Sequence, residues 1–274
     1  MSTPYLGAAR IGALLRSQGI TPKRSLGQNF VIDPNTIRKV IGVAAIEPDD
    51  HVLEIGAGCG SLTVGLASFA RRVTALEVDE RLLPALHEVI GDHPDVEVVH
   101  GDATTVDLAS FGATKLVANL PYNIAATVVL RTLETAPDID VLTVMTQREV
   151  GRRLAAEPGS KIYGQASVLV AYFGTAKIAA QVSRRAFYPV PRVDSVIVSI
   201  TRHDSTPGVD RRKLFEVVKA SFSQRRKTMR NSLATVAGSV ATAEDALRAA
   251  RVDPTARAED LDLERFIAVT EALR

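Results

Sequence analysis

The chain has 274 residues, 46% of them hydrophobic, and a formal net charge of +2, enough for a large core with a smaller second unit. Its single cysteine excludes a disulfide framework and any cysteine-based metal cluster, and its five histidines lack ligand spacing, so no metal is expected. No uncharged run reaches membrane length, so no membrane partner is expected either.

Residues 1–30 hold Arg10, Arg16, Lys23 and Arg24 and no acid. Ile11, Leu14 and Leu15 fall near helical spacing, so this basic segment reads as an amphipathic helix. The first strand is His51–Ile55, which runs into Gly56-Ala57-Gly58-Cys59-Gly60, and Ser61-Leu62-Thr63 then opens an apolar helical stretch. A glycine turn between strand and helix lets a ligand approach the backbone closely. The third glycine comes one position earlier than in the dinucleotide fingerprint. Glu54, two residues before Gly56, would repel a pyrophosphate but tolerate a cationic ligand without phosphate. S-adenosylmethionine, with its sulfonium, is such a ligand. Cys59 reads as a small tolerated side chain in the turn.

The second strand, Arg72–Glu77, ends on an acid about where ribose hydroxyls are met in this topology. The third, Asp95–His100, leads to Gly101-Asp102, and Asp102 can accept from an adenine amino group. The fourth, Lys115–Ala118, ends in Asn119-Leu120-Pro121-Tyr122. There the Asn119 side-chain oxygen and the Leu120 or Pro121 carbonyl can accept the two hydrogens of an exocyclic amine, and Tyr122 can stack on a base. A structural turn with a packed Tyr is the plainer alternative. A fifth strand over 138–145 and a closing strand pair, 174–184 and 193–202, complete an α/β sheet. Phe187 lies between the closing strands, beside two prolines. It can pack in the core or face a flipped base opposite Tyr122. Residues 203–210, with Pro207 and Gly208, read as a linker. Helical segments follow at about 210–224, 226–237, 242–250 and 262–273. Residues 211–230 hold eight basic residues and one acid, so the two basic segments suit a polyanionic partner. A solvated helix face is the alternative for Arg225-Arg226-Lys227.

Several of these strings resemble the bacterial small-subunit rRNA adenine dimethyltransferases. They are Lys23-Arg24-Ser25-Leu26-Gly27-Gln28-Asn29-Phe30, Leu53–Gly58, Asn119–Tyr122, Gln147–Val150, Phe187–Ser195, Ser223–Asn231 and Leu263–Phe266, and the resemblance spans roughly residues 22–274. Val31, Ala57 and Cys59 depart from residues common in that family. The resemblance implies a Rossmann-like class I methyltransferase domain over 1–204 and a helical RNA-binding domain over 205–274. It implies S-adenosylmethionine as cofactor and dimethylation of the N6 amines of two adjacent adenines near the 3′ end of 16S rRNA, with a role in subunit maturation. Asn29, Val31, Glu54, Gly56, Gly58, Glu77, Asp102 and Asn119 would then hold the cofactor. Asn119, Leu120, Pro121, Tyr122 and Phe187 would form the reaction centre, and Lys23, Arg24, Arg225, Arg226, Lys227 and Arg230 would contact RNA. A cytoplasmic monomer acting on the small ribosomal subunit or its precursor is expected. The rival readings are a 23S rRNA adenine methylase and an assembly factor for which methylation is secondary.

Overall fold

The computed structural model describes residues 6–23, 27–121, 123–224 and 226–273. Arg24, Tyr122 and Arg225, all expected at functional positions, lie outside the described residues.

In chain order the elements are α1 (Ala8–Ser17), β1 (Phe30–Val31), α2 (Pro34–Ala44), β2 (His51–Ile55), α3 (Thr63–Leu66), β3 (Arg72–Glu77), α4 (Leu83–Ile90), β4 (Val96–His100), β5 (Lys115–Asn119), α5 (Ala125–Thr135), β6 (Val141–Gln147), α6 (Arg148–Leu154), α7 (Gln165–Phe173), β7 (Gly174–Val182), β8 (Phe187–Tyr188), β9 (Ser195–Arg202), α8 (Arg211–Phe222), α9 (Met229–Ala237), α10 (Val240–Ala249) and α11 (Leu263–Ala272). The chain divides into two compact units. One runs to Gly151 and resumes over Ala176–Arg202; the other comprises Arg152–Thr175 and His203–Arg274.

The first unit is built on a seven-stranded sheet in the order β4-β3-β2-β5-β6-β9-β7. The β3–β4, β2–β3, β2–β5 and β5–β6 pairs are parallel, and β9 runs antiparallel to β6. All five residues of β2 are buried, as befits a central parallel strand covered on both faces. The winding direction reverses between β2 and β5. Such a switch point opens a crevice at the carboxyl ends of the strands.

Two packings outside the sheet position the site. Helix α1 buries Ile11, Leu14 and Leu15 with Phe30, Cys59 and Leu82, which fastens the N-terminal segment beside the glycine turn. Helix α2 starts where Asp33 accepts from the Asn35 and Thr36 N–H groups, with proline at the first helical position. It buries Ile37, Val40 and Ile41 in a core shared with Val31, Val117 and Phe187. A second, two-stranded sheet pairs Phe30 with Tyr188 and Val31 with Phe187, antiparallel.

The helical unit differs from the 205–274 span read from the sequence, because it also takes in α7. Tyr172 and Phe173 stack edge-on against Phe215 of α8, and Phe222 lies against Phe266 of α11. The linker expectation at 203–210 rested on turn residues, which say nothing about where α7 packs. The segment around residue 226 also differs. Arg226 and Lys227 are exposed in the turn between α8 and α9, closed by Lys227 N–H donating to the Gln224 carbonyl at 3.0 Å.

Candidate cofactor pocket and reaction centre

The crevice at the switch point is a cleft of about 830 Å³, counting its open mouth. Its lining includes Asn29, Val31, Glu54, Gly56, Gly58, Glu77, Asp102 and Asn119 together with Pro121. Strand ends β2, β3, β4 and β5 each contribute, and the N-terminal segment closes one side through Gly27–Val31.

The glycine turn needs its glycines. Gly56 and Gly58 have φ of +77° and +59°, a region that disfavours side chains. A Cβ at Gly58 would stand 3.0 Å from the Phe30 ring. Glu77 fixes this turn. One carboxylate oxygen accepts from Gly58 N–H at 2.7 Å, and the other accepts from Val78 and Asp79 N–H at 3.0 and 2.9 Å. Burial raises the Glu77 pKa, and these donors oppose the rise.

Glu54 is almost wholly buried, and its Oε2 has no hydrogen-bond partner; the Ser61 hydroxyl beside the cleft also lacks one. Burial pushes the Glu54 carboxyl up to about 8, and the Glu77 charge adds to the rise. The nearby Thr63 hydroxyl opposes it without reaching hydrogen-bond geometry. An orphaned buried carboxyl of this kind is costly unless a ligand supplies a donor or a positive charge. Cys59, by contrast, is an inert thiol, pushed up to about 12 by burial.

Asp102 is exposed at the end of β4. Its Oδ1 accepts from the Thr104 N–H and hydroxyl, both at 2.8 Å. These bonds hold its carboxyl below the usual range and leave Oδ2 as an acceptor. From α5, Arg131 donates to the Ala103 and Thr105 carbonyls, each at 3.2 Å, and so secures the loop that carries Asp102.

At the end of β5, Asn119 Nδ2 donates to the Asn29 carbonyl at 2.9 Å. A carbonyl can only accept, so this bond decides which way the amide faces and leaves Asn119 Oδ1 as an acceptor. The Pro121 carbonyl already accepts from Ile124 and Ala125 N–H at the start of α5, at 3.2 and 3.1 Å. Among the described residues nothing donates to the Leu120 carbonyl. Of the two carbonyls the sequence left open, that of Leu120 is therefore the one without a donor, although Leu120 is buried and is not among the residues lining the cleft.

Phe187 sits differently from the face of a base pocket. It is 1% exposed, packs with Val31 and Ile37, and is absent from the cleft lining. Side chains alternate along a strand, so β8 turns Phe187 inward and Tyr188 outward. Arg230 is also partly engaged, 3.3 Å from Glu244. Lys23 is exposed, and its backbone N–H donates to Gln28 Oε1 at 2.8 Å.

The sequence reading gave no role to Gln28 or Asp79. Gln28 Nε2 donates to Asp79 Oδ2 at 2.7 Å, tying the N-terminal segment to the loop after β3. The Asp79 carboxyl is pulled down to about 2, chiefly by Arg81. Gln28 stands inside a string already singled out and Asp79 follows the second strand by two residues, but their pairing joins distant parts of the chain.

No group of His, Cys, Asp and Glu among the described residues could hold a metal ion, and no described helix is long and apolar enough to cross a membrane. The donor set fits S-adenosylmethionine. A buried carboxyl without a partner suits a cation, and Glu77 and Asp102 offer acceptors to a nucleoside.

Residues 20–274 match the family described as ribosomal RNA adenine dimethylase. The chain is 46% identical to the ribosomal RNA small subunit methyltransferase A of Leifsonia xyli over 96% of each chain. It is 44% identical to the protein of the same name from Streptomyces coelicolor over 99% of each. Among solved structures, a dimethyladenosine transferase from Plasmodium falciparum superposes with a TM-score of 0.77 at 25% identity, covering 88% of this chain and 95% of that one. The 23S rRNA methyltransferase ErmE superposes at 0.69 and 31% identity, covering 89% and 99%. A sheet with this switch point, an Asn-Leu-Pro turn at the end of β5 and a match over nearly the whole length place the chain in the ribosomal RNA adenine dimethylase family.

Proposed function

We propose that this protein dimethylates the N6 amines of two adjacent adenines near the 3′ end of 16S rRNA, using S-adenosylmethionine, and that it contributes to small-subunit maturation. The observation that carries the reading is the reaction turn. Asn119 lines the cleft with its Oδ1 left as an acceptor, and the carbonyl of the next residue, Leu120, has no donor among the described residues. The small-subunit relatives favour 16S over 23S rRNA as the target.

Bound in the cleft, S-adenosylmethionine supplies an electrophilic methyl carbon on a cationic sulfur. Glu54, Glu77 and Asp102 hold it, with Gly56 and Gly58 giving backbone access and Asn29 and Val31 closing one side. Asn119 and Leu120 accept the two hydrogens of the adenine amine. This turns the nitrogen lone pair toward the incoming carbon, and positioning supplies most of the effect. The N–C bond would form as the S–C bond breaks and S-adenosylhomocysteine leaves; the amine becomes acidic only once methylated and would then lose its proton to water, so no side chain need act as a base beforehand. Pro121 stiffens the turn, and Phe187 braces β1 and β8 from the core. Tyr122 stacks on the target base. Lys23, Arg24, Arg225, Arg226, Lys227 and Arg230 meet RNA phosphates. The protein acts as a cytoplasmic monomer.

The deciding experiment incubates the protein with labelled S-adenosylmethionine and undermethylated 30S particles, then analyses the nucleosides. Label in dimethyladenosine of 16S rRNA is expected. Label appearing only with 50S particles would transfer the reading to 23S rRNA.

A further inference from the structure

A band of exposed apolar and basic side chains spans residues 184–193, through β8 and the segment that leads to β9. Tyr188, Val190 and Val193 are 38%, 60% and 42% exposed, three exposed large apolar side chains within six positions. Arg184, Arg185 and Arg192 are exposed among them. The segment is braced. Arg184 donates from its backbone N–H to Asp194 Oδ1 at 3.0 Å and from Nη1 to the Arg192 carbonyl at 3.2 Å. Arg148 at the start of α6 joins it, its N–H donating to the Asp194 carbonyl at 3.1 Å. Tyr188 is the register partner of Phe30, which lines the cleft. Tyr188 therefore stands one strand away from a residue of the cleft wall.

We infer that this face holds single-stranded RNA next to the nucleotide in the cleft, with Tyr188 stacking on a neighbouring base and Arg185 and Arg192 meeting phosphates. The inference rests on the proposed action on rRNA. An exposed aromatic ring flanked by guanidinium groups is the combination that single strands use, since every base has a face to stack and every linkage a charge. A duplex keeps its bases stacked on each other and offers Tyr188 nothing. Arg184 acts differently, holding the segment in shape through the Arg192 carbonyl.

The test measures binding of the full-length protein to a short fluorescent single-stranded oligoribonucleotide containing two adjacent adenines, and to the same strand annealed to its complement. Tyr188→Ser should weaken single-strand binding about 5- to 150-fold and leave duplex binding in place, while Tyr188→Phe keeps the ring and should bind like the parent. The Arg185→Gln/Arg192→Gln double variant should reduce the slope of log affinity against log salt by about 0.7 for each lost contact. Calorimetric titration with S-adenosylhomocysteine should be unchanged in every variant, which certifies the fold. Parent-like single-strand binding by Tyr188→Ser and by the double variant overturns the inference, as does an equal loss on single strand and duplex. Variants that bind RNA normally but fail to associate with 30S particles would assign the face to a ribosomal protein and also overturn it. A parent protein that methylates 30S particles while these variants bind RNA normally leaves the proposed function standing. A parent that binds and methylates no RNA removes both.

Discussion

Two side chains carry most of the chemistry proposed for the cleft. Asn119 spends its N–H on the Asn29 carbonyl and keeps its oxygen. Asn119→Ala should therefore lower turnover about 100-fold or more through misalignment of the amine, while cofactor affinity falls only by the order of 1 kcal/mol expected for one lost hydrogen bond. Single-turnover rates on 30S particles at saturating cofactor, set beside calorimetric titration, separate the two effects. Glu54 should make cofactor binding depend on pH. Its folded-state pKa is raised to about 8 from 4.5, so below that value the carboxyl is neutral and cannot offset the sulfonium. Affinity for S-adenosylmethionine should rise as pH increases toward 8 and then level off, with proton release on binding; Glu54→Gln should flatten the profile. The unliganded fold carries the opposite sign. The folded state binds more protons than the unfolded chain between 4.5 and 8, so the Glu54 contribution to stability declines as pH rises through that window. Thermal melts of the parent and Glu54→Gln across that range test this.

At the scale of elements, the loop after β4 and the turn after β5 are linked through α5. Arg131 reaches from that helix to two carbonyls around Asp102. Arg131→Met should weaken S-adenosylhomocysteine binding roughly tenfold, about 1.4 kcal/mol. It should barely affect an analogue whose adenine 6-amino group is replaced by oxygen, because Asp102 is proposed to read that amine. Equal weakening of both ligands would make Arg131 a general fold residue. The exposed turn between α8 and α9 makes a separate prediction. Neutralising Arg226 and Lys227 should reduce the salt slope of RNA binding and leave cofactor titration untouched. Because these residues sit in a turn between helices, an unchanged slope would point to other basic residues of the helical unit.

For the whole molecule, the helical unit is discontinuous: α7 precedes β7 and β9 in the chain yet belongs with α8 and α11. A chain ending at residue 204 would expose Tyr172 and Phe173 by removing Phe215. It should aggregate or melt well below the full chain in calorimetry and sedimentation, whereas a cut at the end of a contiguous domain would be harmless. The succession along the chain of the strands that build the large sheet, the glycine turn and the acid or amide at each strand end were legible in the sequence because period, turn residues and spacing are local. So was the N-terminal amphipathic helix, whose Ile11, Leu14 and Leu15 are buried. Long-range pairing was not. The β1–β8 ladder joins Val31 to Phe187, and only that ladder shows which aromatic is buried and which is exposed, since one residue of register reverses every side chain. The bond from Asn119 to Asn29, the tie from Gln28 to Asp79 and the burial that lifts Glu54 likewise depend on segments distant in the chain. The sequence by itself determined which chemical groups stand at the strand ends, because local pattern places them there. Tertiary structure alone decided which of those groups are already bonded, which are desolvated and which remain open to a ligand, because those properties belong to packing between remote segments.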